Sequence, residues 1–322
     1  MLFQKILKFL LLSLFLWGAN TLFANYLNPY ITQILCMIGI NILMAASLNL
    51  INGITGQFSI GHAGFMAIGA YISAAITVYG HTPFFSKLSF LPPSVLSPLL
   101  FILALVSGGL CAGLTGLLVG IPTLRLRGDY LAIATLGFGE IIRVIVLNLD
   151  VVGGARGFSG IPEYSNFFWI YLFLGLTLYI ISNLVRSSRG KALLAIREDE
   201  IASESIGIPT SRYKIIAFTL GAFFAGIGGG LFAHLITYLH TNSFTFLKSI
   251  EFIVMVVLGG LGSLTGSILS ATLLTLLPEV LRSASEWRMI IYAVLLMIMM
   301  WVRPQGILGN REWFPFKKST KR

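Results

Sequence analysis

The chain has 322 residues, of which 56% are hydrophobic and 11% are charged, and its mean hydropathy is +0.88. Soluble domains carry roughly 25% charged residues, so this composition excludes a soluble globular protein and, by the same figures, a disordered one. We interpret the formal net charge of +10 as a signal of membrane orientation, and nucleic acid is not an expected partner.

Long apolar runs follow one another along the chain. A bilayer core about 30 Å thick needs about 20 mostly apolar residues per helix, and most of these runs have that length. The runs cover residues 6–24, 31–51, 58–80, 95–120, 130–149, 166–185, 214–238, 249–282 and 289–302. The predicted fold is an all-α integral membrane protein, a polytopic helix bundle that forms one transmembrane domain over 1–322.

The run at 249–282 is too long for one ordinary helix. Four glycines interrupt it near its middle, namely Gly259, Gly260, Gly262 and Gly266. Glycines in a long apolar segment are typical of discontinuous helices, so we predict two short or broken helices here. The expected total is about ten transmembrane helices with one broken pair.

Lysine and arginine are concentrated in four segments outside the runs, and such residues stay on the cytoplasmic side of a membrane. The predicted cytoplasmic segments are the N-terminus, residues 125–129, the loop at 186–214 and a basic tail at 303–322. The predicted outer loops are 81–94, 150–165 and 239–248. Lys5 and Lys8 before the first run also fit a signal peptide, but ten spans with both termini inside require this helix to be retained.

Polar residues lie at membrane depth after the second run, in a stretch that is also rich in glycine. Irregular backbone at this depth is tolerated where it is enclosed in protein or lines a cavity, and glycine lets a backbone or a solute approach closely. We predict a route through the bilayer, or its gate, at this stretch and at the break in the eighth run. The alternative is that the glycines only pack helices together and that His62 is simply hydrogen-bonded. The predicted route residues are Asn49, Asn52, Gln57, Gly61, His62, Gly64, Gly259, Gly260 and Gly262.

Two opposite charges, Glu140 and Arg143, lie three residues apart in the fifth run, close enough on a helix to pair. An unpaired charge at the centre of a span costs at least ~2.5 kcal/mol, and charged residues there are functional candidates. We favour a structural intramembrane ion pair, because a branched aliphatic or neutral solute needs no fixed charge.

The loop at 186–214 is the longest hydrophilic stretch between runs. Apolar residues recur in it at helical spacing until Gly207 and Pro209, which predicts two short amphipathic helices. Apolar residues in a solvated loop indicate a contact with a partner, and the alternative is a simple connector. In such a contact the charges at 197–200 would set the register. The predicted contact residues are Leu194, Arg197, Glu198, Asp199, Glu200, Ile201, Ala202, Ile206 and Gly207.

Motifs of catalysis and nucleotide binding are missing from the sequence. There is no G-x-x-x-x-G-K-[ST] phosphate loop, no HExxH and no serine nucleophile elbow. The two cysteines, Cys36 and Cys111, lie in separate apolar runs, where cysteine behaves as a small hydrophobe. We therefore expect no enzyme activity, and no metal or cofactor in this chain.

Four stretches, in this order, resemble a known family. They are NLINGITGQFSIGHAGFMAIGAY at 49–71, LRLRGDYLAIATLGFGEIIR at 124–143, RGKALLAIREDEIASESIGI at 189–208 and GGLGSLTG at 259–266. The closing RPQGILG at 303–309 is also similar to the family's ending. The chain resembles, over nearly its whole length, the permease subunits of branched-chain amino acid ABC transporters, of the LivM type.

The resemblance implies a subunit that moves leucine, isoleucine and valine across the inner membrane with ATP hydrolysed by partner subunits, which would bind the ATP and Mg. The implied partners are a second homologous permease, two cytoplasmic ATP-binding subunits and an extracytoplasmic solute-binding protein. The segment 189–208 would dock an ATP-binding subunit. It keeps Gly207 of the family's EAA-x3-G docking signature, whereas Ile201, Ala202 and Ser203 stand in place of EAA.

Two alternatives remain open at this point. Permeases for urea or other small amides are similar in the same motifs, so the cargo is not decided by them. An ion-coupled secondary carrier would use Glu140, Arg143 or His62 directly. The structured loop at 186–214 argues against such a carrier, because a carrier needs no docking platform.

Overall fold

Apolar sequence of helical length forms helices throughout the part of the chain that the structure describes. The computed structural model describes residues 13, 14, 16–23, 26–87, 92–123, 129–284, 293, 294, 297, 301–303, 305–309 and 312. Ten helices in this part are α1 Pro29–Asn49, α2 His62–Lys87, α3 Pro93–Thr123, α4 Asp129–Leu147, α5 Phe167–Arg186, α6 Ser188–Glu198, α7 Glu200–Ser205, α8 Thr210–Ile236, α9 Phe246–Gly259 and α10 Leu264–Val280. The all-α prediction is confirmed for the described residues.

Seven helical segments in the described residues are long and apolar enough to cross a membrane. They contain α1, α2, α3, α4, α5, α8 and α9. The predicted count of about ten is not confirmed. Most of the first predicted run, and nearly all of the last, lie outside the described residues.

The eighth apolar run folds into two helices, α9 and α10, with a sharp turn at residues 260–263. The turn depends on positive φ angles of 107° at Gly260 and 85° at Gly262, which glycine adopts at little cost. The two helices then run antiparallel, because the backbones at Gly259 and Gly266 are in contact and the Ser270 hydroxyl donates to the carbonyl of Met255. The glycines form the turn of a helical hairpin; that this hairpin is a broken pair of spans stays a prediction.

The centre of the bundle is formed by α2, α3 and α8, which pack at backbone distance. A Cβ built on Gly69 would overlap the backbone of Gly226, and one built on Gly108 would lie 2.7 Å from the carbonyl oxygen of Gly69. Small residues at such crossings let dispersion forces act between whole backbones, which is how helices associate in lipid. The packing interpretation of glycine therefore holds at this crossing.

Two ends of the bundle can be distinguished by their contacts. At one end the Tyr79 hydroxyl donates to the carbonyl of Val151 at 2.5 Å, and Phe158 forms an antiparallel bridge with Leu239. At the other end lie the α6–α7 loop and the α9–α10 turn, which touch through Arg197 and Gly262. We call the first of these the bridge end, after the Phe158–Leu239 bridge, and the second the coupling end. The predicted outer loops at 150–165 and 239–248 thus meet at the bridge end.

Candidate functional site

Helix α1 continues into a π-helical turn at Leu50–Ile54. An extended segment follows this turn and reaches Gly61. Asn52 closes this segment on itself: its side chain donates to the carbonyl of Ser59 at 3.3 Å and accepts from the Ser59 N–H at 3.2 Å. Asn52 is buried. Its amide therefore satisfies backbone groups that an irregular segment would otherwise leave unpaired.

Asn49 joins this turn to the α9–α10 turn. Its Nδ2 donates to the carbonyl of Ser263 at 2.9 Å, and its Oδ1 accepts from the N–H of Gly262 at 2.8 Å. Asn49 is fully buried. The two irregular segments that the sequence predicts as route or gate are thus physically linked at this residue, on the coupling end.

Three buried polar side chains in or just after the extended segment retain unsatisfied atoms. Among the described residues, both amide atoms of Gln57, the hydroxyl of Ser59 and Nδ1 of His62 have no hydrogen-bond partner. The other ring nitrogen of His62 lies 2.8 Å from the Ser47 hydroxyl, so this histidine is partly satisfied. Buried polar atoms are nearly always paired, and a run of orphaned ones indicates contact with water or a polar solute.

A narrow cleft lies where the start of α2, the middle of α4 and the start of α9 meet. Its floor is glycine: a Cβ on Gly61 would overlap the carbonyl oxygen of Thr135, and one on Gly64 would lie 2.9 Å from Cα of Gly139. The cleft residues are Ile60, Gly61, Gly64, Leu136, Gly139, Glu140, Phe244, Thr245, Phe246 and Ser249. The cleft is closed to anything of amino-acid size in this conformation.

The structure divides the predicted route residues into two groups. Gly61 and Gly64 line the cleft, whereas Asn49 and Gly262 lie at the coupling end. Gly259 and Gly260 contact other parts of the coupling end, namely Gly266 and the segment around Gly309. The sequence predicts one site, and the structure places its residues at two depths.

Two ion pairs lie on helices that line the cleft, and Glu140 of the first pair is itself a cleft residue. The predicted pair is present, with Arg143 Nε 2.7 Å from a Glu140 carboxylate oxygen. Sequence reasoning missed a second pair of the same spacing, Lys248 to Glu251 at 2.8 Å, on the first turns of α9. The i, i+3 spacing that identified the first pair was equally visible in the second.

The α6–α7 loop between α5 and α8 confirms the prediction of two short helices. Asp199 caps α7 by accepting from the Ala202 N–H at 3.0 Å, and Glu200 forms an ion pair with Lys214 of α8 at 2.6 Å. The carboxylates of Asp199 and Glu200 thus both bind partners within this chain. The loop is therefore a rigid projection from the bundle.

Apolar residues of this loop divide between an inner and an outer side. Leu194 is half-buried and packs on the core, whereas Ile201 and Ile206 are 66% and 77% exposed. Ala202 is exposed beside them. The exposed apolar side chains lie next to Gly207, at the tip of the loop.

Arg197 points inward, to a place that sequence reasoning missed. Its Nη1 donates to the carbonyl of Gly53 at 2.8 Å, and a Cβ on Gly262 would lie 2.5 Å from the same nitrogen. Glu198 is its exposed neighbour, 3.5 Å away. Arg197 therefore joins the loop to both irregular segments, and no local signal could reveal a partner 144 residues away.

The C-terminal segment covers the α9–α10 turn. The N–H of Ile307 donates to the carbonyl of Leu258 at 2.7 Å, at the end of α9. The carboxylate of Glu312 accepts from the N–H of Leu264 at 2.7 Å, at the first turn of α10. Negative charge at a helix N-terminus is stabilising, so Ile307 and Glu312 bind the two helix ends of the hairpin.

A cavity of about 550 Å³ opens at the bridge end. Glu163 contributes a carboxylate to it, and the hydroxyl of buried Ser165 has no partner among the described residues. The lining residues are Asn20, Phe23, Leu27, Pro29, Thr32, Gln33, Cys36, Glu163, Ser165, Asn166, Phe167, Leu235 and Thr237. The described residues hold no cluster of three or more His, Cys, Asp or Glu side chains that could bind a metal.

In the part of the chain that the structure describes, a helical bundle with seven candidate spans is the architecture of a multi-pass membrane protein. The family described as branched-chain amino acid transport system, permease component, matches residues 30–300, and the chain belongs to it. The permease protein LivM of the high-affinity branched-chain amino acid transport system of Salmonella typhimurium is 38% identical over 311 residues, covering 86% of this chain and 69% of that protein.

Further relatives extend the comparison. A probable branched-chain amino acid transport permease protein LivM of Methanocaldococcus jannaschii is 25% identical over 89% of this chain and 96% of that protein. The permease protein LivH of Salmonella typhimurium is 32% identical over 168 residues, which is 50% of this chain and 53% of that protein. No solved structure matches the chain.

Proposed function

We propose that this chain is one of two permease subunits of an ABC importer that carries branched-chain amino acids into the cell across the inner membrane. The names of its relatives support the cargo, and the similarity to both LivM and LivH supports a second, homologous permease as partner. ATP and Mg are bound and used by two cytoplasmic subunits. An extracytoplasmic solute-binding protein delivers the cargo.

The exposed apolar tip of the α6–α7 loop is the observation that carries this proposal. Ile201 and Ile206 are presented next to Ala202 on two capped helices, and an apolar patch on a rigid solvated projection is typical of a docking surface. An ATPase partner that binds this tip can move the loop. Arg197 then passes that movement to Gly53.

The docking test uses the charge of aspartate. Ile206→Asp places an unpaired carboxylate in the contact and is expected to weaken ATPase-subunit binding by about 2–5 kcal/mol, the scale of a desolvated unpaired charge. Ile206→Val and Ser188→Asp are controls, because the first keeps the apolar surface and the second adds the same charge on exposed Ser188 at the start of α6. Pull-down of the ATPase subunits and the membrane level of each variant are measured together. Full ATPase association of Ile206→Asp would show that the loop is only a connector.

The coupling end faces the cytoplasm in this proposal, and the cavity with Glu163 faces the solute-binding protein. The distribution of basic residues supports this orientation. Single cysteines in a background lacking Cys36 and Cys111 are expected to react with an impermeant reagent in intact cells at 150–165 and 239–248. Cysteines at 186–214 or 305–309 should not react, and labelling there would reverse the orientation.

The cargo is tested by uptake. Vesicles containing the assembled importer should accumulate labelled leucine in an ATP-dependent manner. Isoleucine and valine are expected to compete with leucine, whereas urea is not. Competition by urea alone would identify the amide-permease alternative.

A further inference from the structure

Charged side chains are rare within the candidate spans. In the spans that the structure describes, Arg186 lies at a span end and Arg212 and Lys214 lie in the first five residues of another span, while the other four charged residues form the two i, i+3 ion pairs Glu140–Arg143 and Lys248–Glu251. Both pairs are on helices that line one cleft, since Glu140 lines it from α4 and Ser249, next to Lys248, lines it from α9. These two ion pairs are therefore the charged groups closest to the cleft in the described spans.

These side chains are also not sealed inside the protein. Arg143 and Glu140 retain 27% and 35% of their side-chain exposure, and Lys248 and Glu251 retain 20% and 38%. Ionised groups that face hydrocarbon are strongly disfavoured, and charged residues in spans face a bundle interior or a water-filled cavity. The α4–α9 face must therefore meet water or protein when the subunit is in its membrane.

We propose that the transport route runs along this α4–α9 face, and that the Glu140–Arg143 pair binds the zwitterionic head of the cargo. This inference rests on the proposed function and adds the chemistry of recognition to it. The α-ammonium group pairs with the Glu140 carboxylate, and the α-carboxylate receives the forked N–H groups of Arg143.

The rest of the cleft suits an aliphatic side chain. Leu136, Phe244 and Phe246 supply apolar surface, and Gly61 and Gly64 bring the backbones of α2 and α4 into contact, so that a solute can enter only when these two helices separate. An amino acid therefore matches both parts of the cleft: its zwitterionic head fits the Glu140–Arg143 pair, and its apolar side chain fits the apolar residues. The Lys248–Glu251 pair on α9 also combines one positive and one negative charge, so the two pairs together add no net charge to the α4–α9 face.

A purely structural ion pair makes a different prediction from a binding pair. We compare Glu140→Gln, Arg143→Gln and the exchanged double variant Glu140→Arg with Arg143→Glu in the assembled importer, with saturating loaded solute-binding protein. Leucine moved per ATP hydrolysed should fall about tenfold or more in all three variants, on the scale of one charged hydrogen bond. Stimulation of ATP hydrolysis by the loaded receptor should persist, because docking at both ends is unchanged.

Restoration of normal leucine transport by the exchanged variant would show that the pair only stabilises the fold and would overturn the inference. Normal transport per ATP in the two single variants would do the same, while leaving the proposed function intact. If the unmodified importer moves no leucine at all, it is the proposed function that fails.

Accessibility gives an independent test. Leu136 on α4 lines the cleft, whereas Leu114 on α3 is not a cleft residue and is 59% exposed in the isolated chain. With native cysteines replaced, Leu136→Cys in the assembled importer should react with a water-soluble thiol reagent, and loaded receptor with ATP should alter the rate. Leu114→Cys should remain unreactive in lipid. Equal behaviour of the two cysteines would place the route elsewhere.

Discussion

Replacement of Arg197 by glutamine should disconnect the α6–α7 loop from the membrane helices without removing the loop. The guanidinium donates to the Gly53 carbonyl at 2.8 Å, and its side chain is 23% exposed. A hydrogen bond from a charged group contributes about 1.5–3 kcal/mol, and each 1.4 kcal/mol is a factor of ten. Loss of this bond should therefore reduce the equilibrium constant for association of the α6–α7 loop with the Gly53 segment by about 10- to 100-fold.

The assay is the stimulation of ATP hydrolysis by loaded solute-binding protein. For Arg197→Gln we expect basal hydrolysis and subunit association to persist, since docking uses the outer tip of the loop. Stimulation should fall by about tenfold or more. Arg189→Gln is the matched control, because Arg189 is on the same helix and is exposed. Unchanged stimulation in Arg197→Gln, or an equal fall in Arg189→Gln, would refute the role of the Gly53 contact.

A second perturbation reaches the same contact from the other side. Gly262→Ala would place a Cβ 2.5 Å from the Arg197 guanidinium nitrogen, whereas Gly160→Ala, at a similar φ of 80° and outside the α6–α7 loop, meets nothing within 4 Å. Both alanines carry the backbone strain of a left-handed conformation, on the order of 1–2 kcal/mol. Only Gly262→Ala should reproduce the loss of stimulation, so the difference between the two variants isolates displacement of Arg197.

Two further outcomes concern the packing of the bundle. Gly69→Ala should destabilise the complex by more than the ~1–3 kcal/mol of ordinary overpacking, because its Cβ would overlap the Gly226 backbone. The loss should be seen as a lower melting temperature and a lower level of the complex in the membrane. Gly80→Ala in the same helix should be tolerated, since its Cβ would lie 3.9 Å from the nearest neighbouring atom. Equal stability of the two alanine variants would refute this account of the crossing. Glu312→Gln should reduce stability by about 1 kcal/mol through the weaker interaction with the N-terminus of α10, measured by thermal unfolding in detergent, and no change would mean that the Leu264 contact contributes nothing.

Much of the helical architecture follows from run lengths, since most of the predicted runs became helices with ends a few residues away. The eighth run shows the limit of that reasoning. Glycine is required both where one helix breaks and where two helices turn back on each other, so spacing alone does not separate these cases. The contact of Gly259 with Gly266 identifies the second case, a turn between two antiparallel helices.

The residues of the candidate site could be predicted from the sequence, but their contacts with one another could not. Polar residues at membrane depth identified Asn49 and Gln57, because such groups need a reason to be there. Asn49 finds its partners more than 200 residues later in the chain, at Gly262 and Ser263. Arg197 was expected to face a partner protein, and its hydrogen bond to Gly53 depends on tertiary packing that no local pattern encodes.

The cover over the α9–α10 turn has a consequence for how the protein is made. Ile307 and Glu312, which bind the ends of the two hairpin helices, follow those helices in the chain. A ribosome therefore releases the hairpin before its cover. During that interval the N–H groups at the start of α10 lack the Glu312 carboxylate, and the Leu258 carbonyl lacks the Ile307 N–H. Closure of the turn therefore depends on residues that are synthesised after both of the helices that it joins.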